Sequence, residues 1–267
     1  MNRSLVTAAA CAWLAAAGRA QAEGMTVELL KTPHGGLQPQ AVVDDEATLH
    51  LLYFAGDPGQ GDLFYLRKEA GQDDFSKPVR VNSQPSSAVA TGTIRGGQIA
   101  LGQGGRIHVA WNGRNGSSKA AGAHGAPMFY TRSNDEGTAF EEQRNLMRDT
   151  TGLDGGGTVA ADGEGNVYVA WHGLKAGEAA GEANRRVWIV RSDDGGATFS
   201  SEAPAWDTRT GCCACCATRA FADSSGALQL LYRSATDDVN RDMYLLRSGD
   251  RGGSFEGTLL HRWRSPG

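Results

Sequence analysis

The sequence has no excess of positive charge and, beyond its N-terminus, no long apolar run. Its 267 residues contain 26 Lys and Arg against 30 Asp and Glu, which gives a formal net charge of −4 at pH 7. Because the chain has no excess of basic residues to bind phosphates, we expect no nucleic-acid partner. No second apolar stretch is long enough to span a bilayer, so we also expect no transmembrane segment.

The first apolar run has the features of an export signal. Arg3 precedes an apolar region at 5–18, and Ala20-Gln21-Ala22 forms a small-residue cleavage site. We therefore predict a signal peptide at 1–22 and a mature protein that is periplasmic or secreted.

Cysteine is absent from most of the chain. Cys11 lies in the apolar run, but the three alanines before it lack the leucine of a lipoprotein signal, so lipoprotein anchoring is not expected. The other four are Cys212, Cys213, Cys215 and Cys216. Disulfides are the default in an oxidising compartment, although adjacent cysteines bridge only with strain. Two overlapping Cys-x-x-Cys spacings leave open a soft metal, Cu(I) or Zn, or a redox role.

Three copies of one eight-residue pattern divide the chain. Their first serines lie 59 and then 56 residues apart, and repeats at this period indicate an array or a propeller. Ser and Asp oxygens can accept backbone N–H groups, Gly permits positive φ, and Phe can pack on a sheet. We therefore predict structural turns built by Ser133, Asp135, Gly137, Phe140, Ser192, Asp194, Gly196, Phe199, Ser248, Asp250, Gly252 and Phe255.

Each pattern lies within a unit of four short strands, at the turn between the third and the fourth. Residues 107–111 and 167–171 are β-rich runs, and residues 186–191 form a clear third strand before the pattern. Four antiparallel strands per repeat is the content of a propeller blade, and the length and 37 glycines suit one all-β domain. We expect a domain at 23–267 with blades at about 39–82, 96–147, 157–206 and 218–263.

The repeated pattern resembles the Asp-box, or bacterial neuraminidase repeat. Over residues 39–263 the chain resembles the sialidase-like β-propeller superfamily, and residues 68–75 resemble a decayed copy of the repeat. The resemblance implies four-stranded blades, six in a whole sialidase propeller. With four blades and an extra strand candidate at 25–31, we expect a C-terminally truncated six-bladed propeller, with a compact four-bladed ring as the alternative.

Propeller topology places the Asp-boxes on one face and the long loops on the other, where sites usually lie. Arg132, Arg191 and Arg247 precede box serines and are excluded as structural. Near the channel, Arg95, Arg219 and Arg233 are candidates for carboxylate binding, because sialidases grip a sugar carboxylate with three arginines. The aromatic-Arg-Ile-Pro motif that carries the first of these is absent.

Other residues on the loop face are candidates with structural alternatives. Asp154, followed by three glycines that permit close backbone approach, is a candidate acid/base or a turn cap. His172 is a candidate ligand or acid, and it shares the face with Asn112. Arg241 and Asp242 are candidates there too, or they pair with each other.

The predicted signal peptide indicates export, and the resemblance implies a propeller that recognises a glycan or other small anionic ligand and requires no cofactor. A retaining sialidase uses an Asp acid/base and a Tyr nucleophile, and that Tyr belongs to later blades. Hydrolysis is therefore expected only where a partner supplies missing blades. Two other hypotheses stay open, a metal- or redox-linked module centred on 212–216 and a non-catalytic interaction scaffold.

Overall fold

The computed structural model describes residue 27 and residues 29–92, 94–118, 125–237 and 239–263. The predicted signal peptide at 1–22, with Cys11, lies outside these ranges. Within these ranges, the residues from 32 onward belong to one compact unit, and residues 27 and 29–31 belong to a separate one. The described residues of 25–31 form no strand, unlike our expectation. Across the described ranges, no helix has the length and apolar character needed to cross a membrane.

Seventeen strands in the described residues build four antiparallel sheets, ordered along the chain. The first sheet contains β1 (Leu37–Val43), β2 (Leu49–Asp57), β3 (Gln60–Lys68) and β4 (Val79–Arg80). The second contains β5 (Gly97–Leu101), β6 (Ile107–Asn112), β7 (Met128–Arg132) and β8 (Arg144–Asn145). The third contains β9 (Thr150–Thr151), β10 (Thr158–Ala161), β11 (Val167–Lys175), β12 (Arg186–Ser192) and β13 (Ala203–Pro204), with β9 paired to β11. The fourth contains β14 (Arg219–Ala222), β15 (Leu228–Arg233), β16 (Met243–Ser248) and β17 (Glu256–His261), and 3₁₀ turns cover Pro33–Gly35, Gln103–Gly105 and Glu182–Asn184.

These four meanders confirm the predicted all-β, propeller-like fold. Successive sheets pack face to face because each sheet alternates apolar residues toward its neighbour. Trp111 is buried in the cluster between the first two sheets, Trp171 in that between the second and third, and Leu230 in that between the third and fourth. Burial of these faces holds the sheets as one unit.

The innermost strands β1, β5, β10 and β14 lie side by side in that order. Within the described residues, β14 and β1 do not pack on each other in the way the other neighbours do. The end sheets accordingly leave apolar residues in solvent, with Val43 62% and Phe221 61% exposed. The four sheets therefore form an arc around an axis, and the alternative of a compact four-bladed ring is not what they build.

The second and third Asp-boxes form closed turns after β12 and β16. Ser192 Oγ accepts the N–H of Gly196 at 2.8 Å, and Ser248 Oγ accepts that of Gly252 at 2.7 Å. Both glycines have positive φ, 79° and 75°, a conformation that favours glycine. Burial acts to raise the pKa of Asp194, but the hydrogen bonds that its carboxylate accepts outweigh burial and lower that pKa to about 2.

The first box uses different atoms for the same turn. Asn134 Oδ1, one position earlier than expected, accepts the N–H groups of Thr138 at 2.9 Å and Ala139 at 3.2 Å. Asp135 instead forms an ion pair with Arg106. The turn role predicted for Asp135 therefore belongs to Asn134, because its amide oxygen reaches the same backbone groups.

We expect the Ser192→Ala variant to lose about 1–3 kcal/mol of unfolding free energy, because the buried N–H of Gly196 would lose its acceptor. Chemical denaturation measures the change. The matched control is the exposed Ser201→Ala, which should shift stability by less than about 0.5 kcal/mol. Equal stabilities of the two variants would contradict the role given to this hydroxyl.

Candidate functional site

Three segments that lead into inner strands meet on the face opposite the Asp-boxes, here called the loop face. They are residues 94–96 before β5, residues 154–157 before β10 and residues 217–218 before β14. The Thr218 N–H points to the Gly156 carbonyl at 3.5 Å. A Cβ on Gly156 would collide with the carbonyl of Ile94, so this crossing requires glycine. The close backbone approach that the glycine run predicts is present.

Asn112 fixes the glycine segment at 155–157 through two hydrogen bonds. Its Nδ2 donates to the Gly155 carbonyl at 2.7 Å, and its Oδ1 accepts the Gly157 N–H at 3.2 Å. The residue is only 1% exposed. We expected Asn112 on a ligand face, but the structure buries it as a positioning residue.

Arg95 and Asp154, both predicted site residues, lie together as an ion pair. Arg95 Nε also donates to the Asp154 carbonyl at 2.7 Å, and its Nη1 donates to the Thr91 carbonyl at 3.0 Å. Arg185 approaches the same carboxylate, with Nη2 3.8 Å from Asp154 Oδ2. The Asp154 carboxylate therefore lies between two guanidinium groups, which compensate its charge.

The other two predicted arginines have separate surroundings. Among the described residues, the Arg219 guanidinium donates only to the Thr218 carbonyl, at 3.2 Å, and burial lowers its pKa. Arg233 donates from Nε to the Arg241 carbonyl at 3.2 Å and lies over the exposed Trp263 ring, 5.3 Å from its centre. The three arginines expected to hold one carboxylate are thus engaged in different ways.

Arg241 and Asp242 do not pair with each other. Arg241 Nη1 lies 2.5 Å from Glu182 Oε2, while Asp242 Oδ1 accepts the Trp263 N–H at 2.9 Å. The two side chains therefore reach different parts of the chain. Both residues therefore connect parts of the loop face.

The four cysteines of the loop after β13 separate into two environments. Cys212 is 2% exposed and packs in the core beside Leu230 and Tyr232, where burial raises the pKa of its thiol. Cys213 Sγ lies 3.2 Å from Cys216 Sγ and 3.3 Å from Cys215 Sγ. All four thiols are free in the structure, and three of them converge.

Cys216 lies beside a guanidinium group. Arg233 Nη1 lies 3.6 Å from its sulfur. Burial acts to raise the pKa of Cys216, but hydrogen bonds from Cys213 and Arg233 outweigh burial and lower it. For Cys213, burial and its contacts to the other two thiols raise the pKa to about 12.

His172 supports this loop from inside the protein. Its Nε2 lies 3.1 Å from the Cys216 carbonyl, and the residue is 2% exposed. Burial lowers the pKa of His172 to about 4, so the ring is neutral at pH 7 and donates from Nε2. Among the described residues, Nδ1 has no hydrogen-bond partner. The expected ligand or acid is therefore a buried positioning residue.

An open cleft of about 540 Å³ lies on the opposite, Asp-box face. It is lined by Arg191, Asp193 and Asp250, among others. The Asp250 oxygens already accept bonds from Ser248 and Ser254 within its own turn. This opening thus lies among residues that build the turns, whereas the convergent polar groups lie on the loop face.

Sequence reasoning missed Arg185, Glu182 and Trp263. Glu182 accepts the Ala214 N–H at 2.5 Å as well as pairing with Arg241, so it ties the cysteine loop to two sheets. An acidic residue in a loop otherwise rich in small residues was the available signal for Glu182. No pattern in the sequence indicated that Trp263, after the last strand, would lie against Arg233.

The fold and the loop face define a propeller-like protein with Asp-box turns and a polar site at the inner-strand ends. No protein-family model and no curated protein matches the chain. Among solved structures it is similar to a Hadza microbial sialidase, with a TM-score of 0.55 and 14% identity over 84% of this chain and 46% of that one. It is also similar to a Trypanosoma rangeli sialidase in complex with the inhibitor DANA, with a TM-score of 0.57 and 12% identity over 84% and 38%.

A third similar structure is a polysaccharide lyase, the PL25 ulvan lyase bound to GlcA(1-4)Rha3S. Its TM-score is 0.54, with 14% identity over 85% of this chain and 56% of that one. The chain therefore spans about half the length of these solved proteins or less. At these identities the likeness shows the fold, and function has to be argued from the site.

Proposed function

We propose that this chain is an exported propeller that recognises an acidic glycan, or a small anionic ligand of the same chemistry, at its loop face. The observation that carries the proposal is Arg219, which opens inner strand β14 beside the axis and donates to one carbonyl among the described residues. A guanidinium with remaining donors can bind a carboxylate or sulfate through two parallel hydrogen bonds. The names of the similar structures, sialidases and a polysaccharide lyase, support a carbohydrate ligand.

Trp263 adds the apolar part of such a surface. Its side chain is 54% exposed, and Arg233 lies against one side of the ring. An exposed aromatic ring beside a cation offers both a flat apolar contact and a charge to a ligand. Arg219 and Trp263 each supply one of the two kinds of contact that an acidic sugar requires.

The proposal is for recognition and not for turnover by this chain alone. The candidate acid/base Asp154 is already paired with Arg95 and approached by Arg185. Proton transfer to a leaving group would require that carboxylate to leave both partners. Sialidase-type hydrolysis would therefore need a rearranged Asp154.

We expect sialyllactose or a glucuronate disaccharide to bind more tightly than neutral lactose, measured by titration calorimetry. Replacing Arg219 by alanine should weaken acidic-sugar binding by about 10-fold or more, because a hydrogen-bonded charge contributes about 1.5–3 kcal/mol. Arg247→Ala, on the Asp-box face, is the matched control and should not change affinity. Equal binding of lactose and sialyllactose, or equal affinities of the Arg219 and Arg247 variants, would overturn the proposal.

A further inference from the structure

Three thiols converge in the loop after β13, and their spacing suits one metal ion. The sulfurs of Cys213, Cys215 and Cys216 all lie within 4.8 Å of one another, with contacts of 3.2 and 3.3 Å from Cys213. Metal–sulfur bonds of about 2.3 Å place the sulfurs around a tetrahedral ion about 3.8 Å apart. The two separations from Cys213, 3.2 and 3.3 Å, are shorter than that value by about half an ångström, so small side-chain rotations bring all three sulfurs onto one ion.

The loop that carries these thiols is fixed by the sheets around it. The Cys213 N–H donates to the Arg233 carbonyl at 3.0 Å, and the Ala214 N–H donates to Glu182 Oε1 at 2.5 Å. His172 donates to the Cys216 carbonyl. Contacts of this kind orient metal ligands, and their loss costs metal affinity. The backbone that carries the three cysteines is thus fixed in position by hydrogen bonds.

The charge of the site and the number of its ligands limit which metal ions it can bind. Within the described residues, the group that can reach one ion consists of these three cysteines, with no fourth His, Cys, Asp or Glu. Soft thiolates bind both zinc and monovalent copper, but structural zinc takes four protein ligands, whereas three sulfurs satisfy monovalent copper. Arg233 Nη1, 3.6 Å from Cys216 Sγ, offsets part of the negative charge of three thiolates.

We propose that Cys213, Cys215 and Cys216 bind one Cu(I) ion in a three-sulfur site. On binding, the three thiols release their protons to solvent and the sulfurs form the metal bonds, with no change in oxidation state. Cys215 is exposed, so the ion can enter from the loop face. Cys212 takes no part because its sulfur lies in the core. The site shares Arg233 with the surface proposed for a sugar, but copper binding by the three sulfurs does not depend on sugar binding.

The test titrates the reduced, untagged protein with Cu(I) against a competing chromophoric chelator, without oxygen. We expect one copper ion per chain. X-ray absorption spectra should show sulfur as the only element bonded to the copper. Cys215→Ser and Cys216→Ser should each lower copper affinity by more than about 100-fold, the upper end of what loss of an outer-shell partner costs. Cys212→Ala, in the same loop, is the matched control and should keep the copper.

Two outcomes would overturn the site. One is a reduced wild-type protein that cannot hold copper against the chelator, and the other is a Cys215→Ser variant that binds copper as well as the wild type. Since Cys215 is exposed, its replacement should not disturb folding, which circular dichroism checks. A parallel zinc titration tests the identity of the metal. Tighter binding of zinc than of copper would refute the copper assignment.

Discussion

Replacing Trp171 by alanine is expected to lower the free energy of unfolding by about 3–5 kcal/mol, the range for removal of a large buried aromatic side chain. Trp171 is fully buried between the second and third sheets, near Met128 and Trp188. Its indole N–H also donates to Thr150 Oγ1 at 3.2 Å. The variant loses this bond and leaves a cavity that two rigid sheets cannot close.

Urea unfolding followed by circular dichroism measures this loss. The matched control is Phe221→Ala, because Phe221 is also aromatic and lies on a strand but is 61% exposed. That control should change stability by less than about 0.5 kcal/mol. A Trp171 variant as stable as the Phe221 variant would show that the packing of the second and third sheets is not what holds the fold.

The second large effect is a loss of stability in acid that depends on His108. Burial, with the nearby charges of Arg106 and Arg132, lowers the pKa of His108 to about 3, and Nδ1 lies 2.7 Å from the Tyr130 hydroxyl. The unfolded chain takes up this proton at the ordinary histidine pKa of about 6.5. Stability from the neutral ring is therefore complete above pH 6.5 and falls as the pH decreases toward 3.

We expect this residue alone to remove about 1.4 kcal/mol of unfolding free energy for each pH unit between 6 and 4. The measurement compares urea unfolding of the wild type and of His108→Gln at pH 7, 6, 5 and 4. The variant should be less stable at pH 7 but should lose stability less steeply on acidification. Parallel curves for the two proteins would show that His108 does not titrate on unfolding.

The repeated architecture was predictable because it rests on local chemistry. The turns after β12 and β16 need a hydroxyl, a carboxylate and a glycine at fixed offsets, and those residues are visible in the sequence. The β-rich run at 167–171 and the strand at 186–191 form the central pair of their sheet, Val167–Lys175 and Arg186–Ser192. The first box was harder to predict, since Asn134 and Asp135 are adjacent and either can reach the turn.

The site was only partly predictable because its contacts join loops far apart in the chain. Arg95 and Asp154 were both candidates, and the structure makes them partners of each other. Asn112 and His172 were expected to face a ligand, yet both are buried beneath the loops they hold. Side-chain direction at a strand end depends on what packs above it, and the local pattern contains no such information.

The sequence by itself determined that this protein folds into four-stranded antiparallel units closed by Asp-box turns, because strand periodicity and turn chemistry act over a few residues. Tertiary structure alone decided which of four neighbouring cysteines enters the core and which three bring their sulfurs together. Cys212 packs in the core between the third and fourth sheets. Cys213 is equally buried, but hydrogen bonds of the loop backbone with Glu182, Arg233 and His172 hold its sulfur beside those of Cys215 and Cys216. Contacts between separate sheets set that arrangement, and they exist only once the sheets have packed.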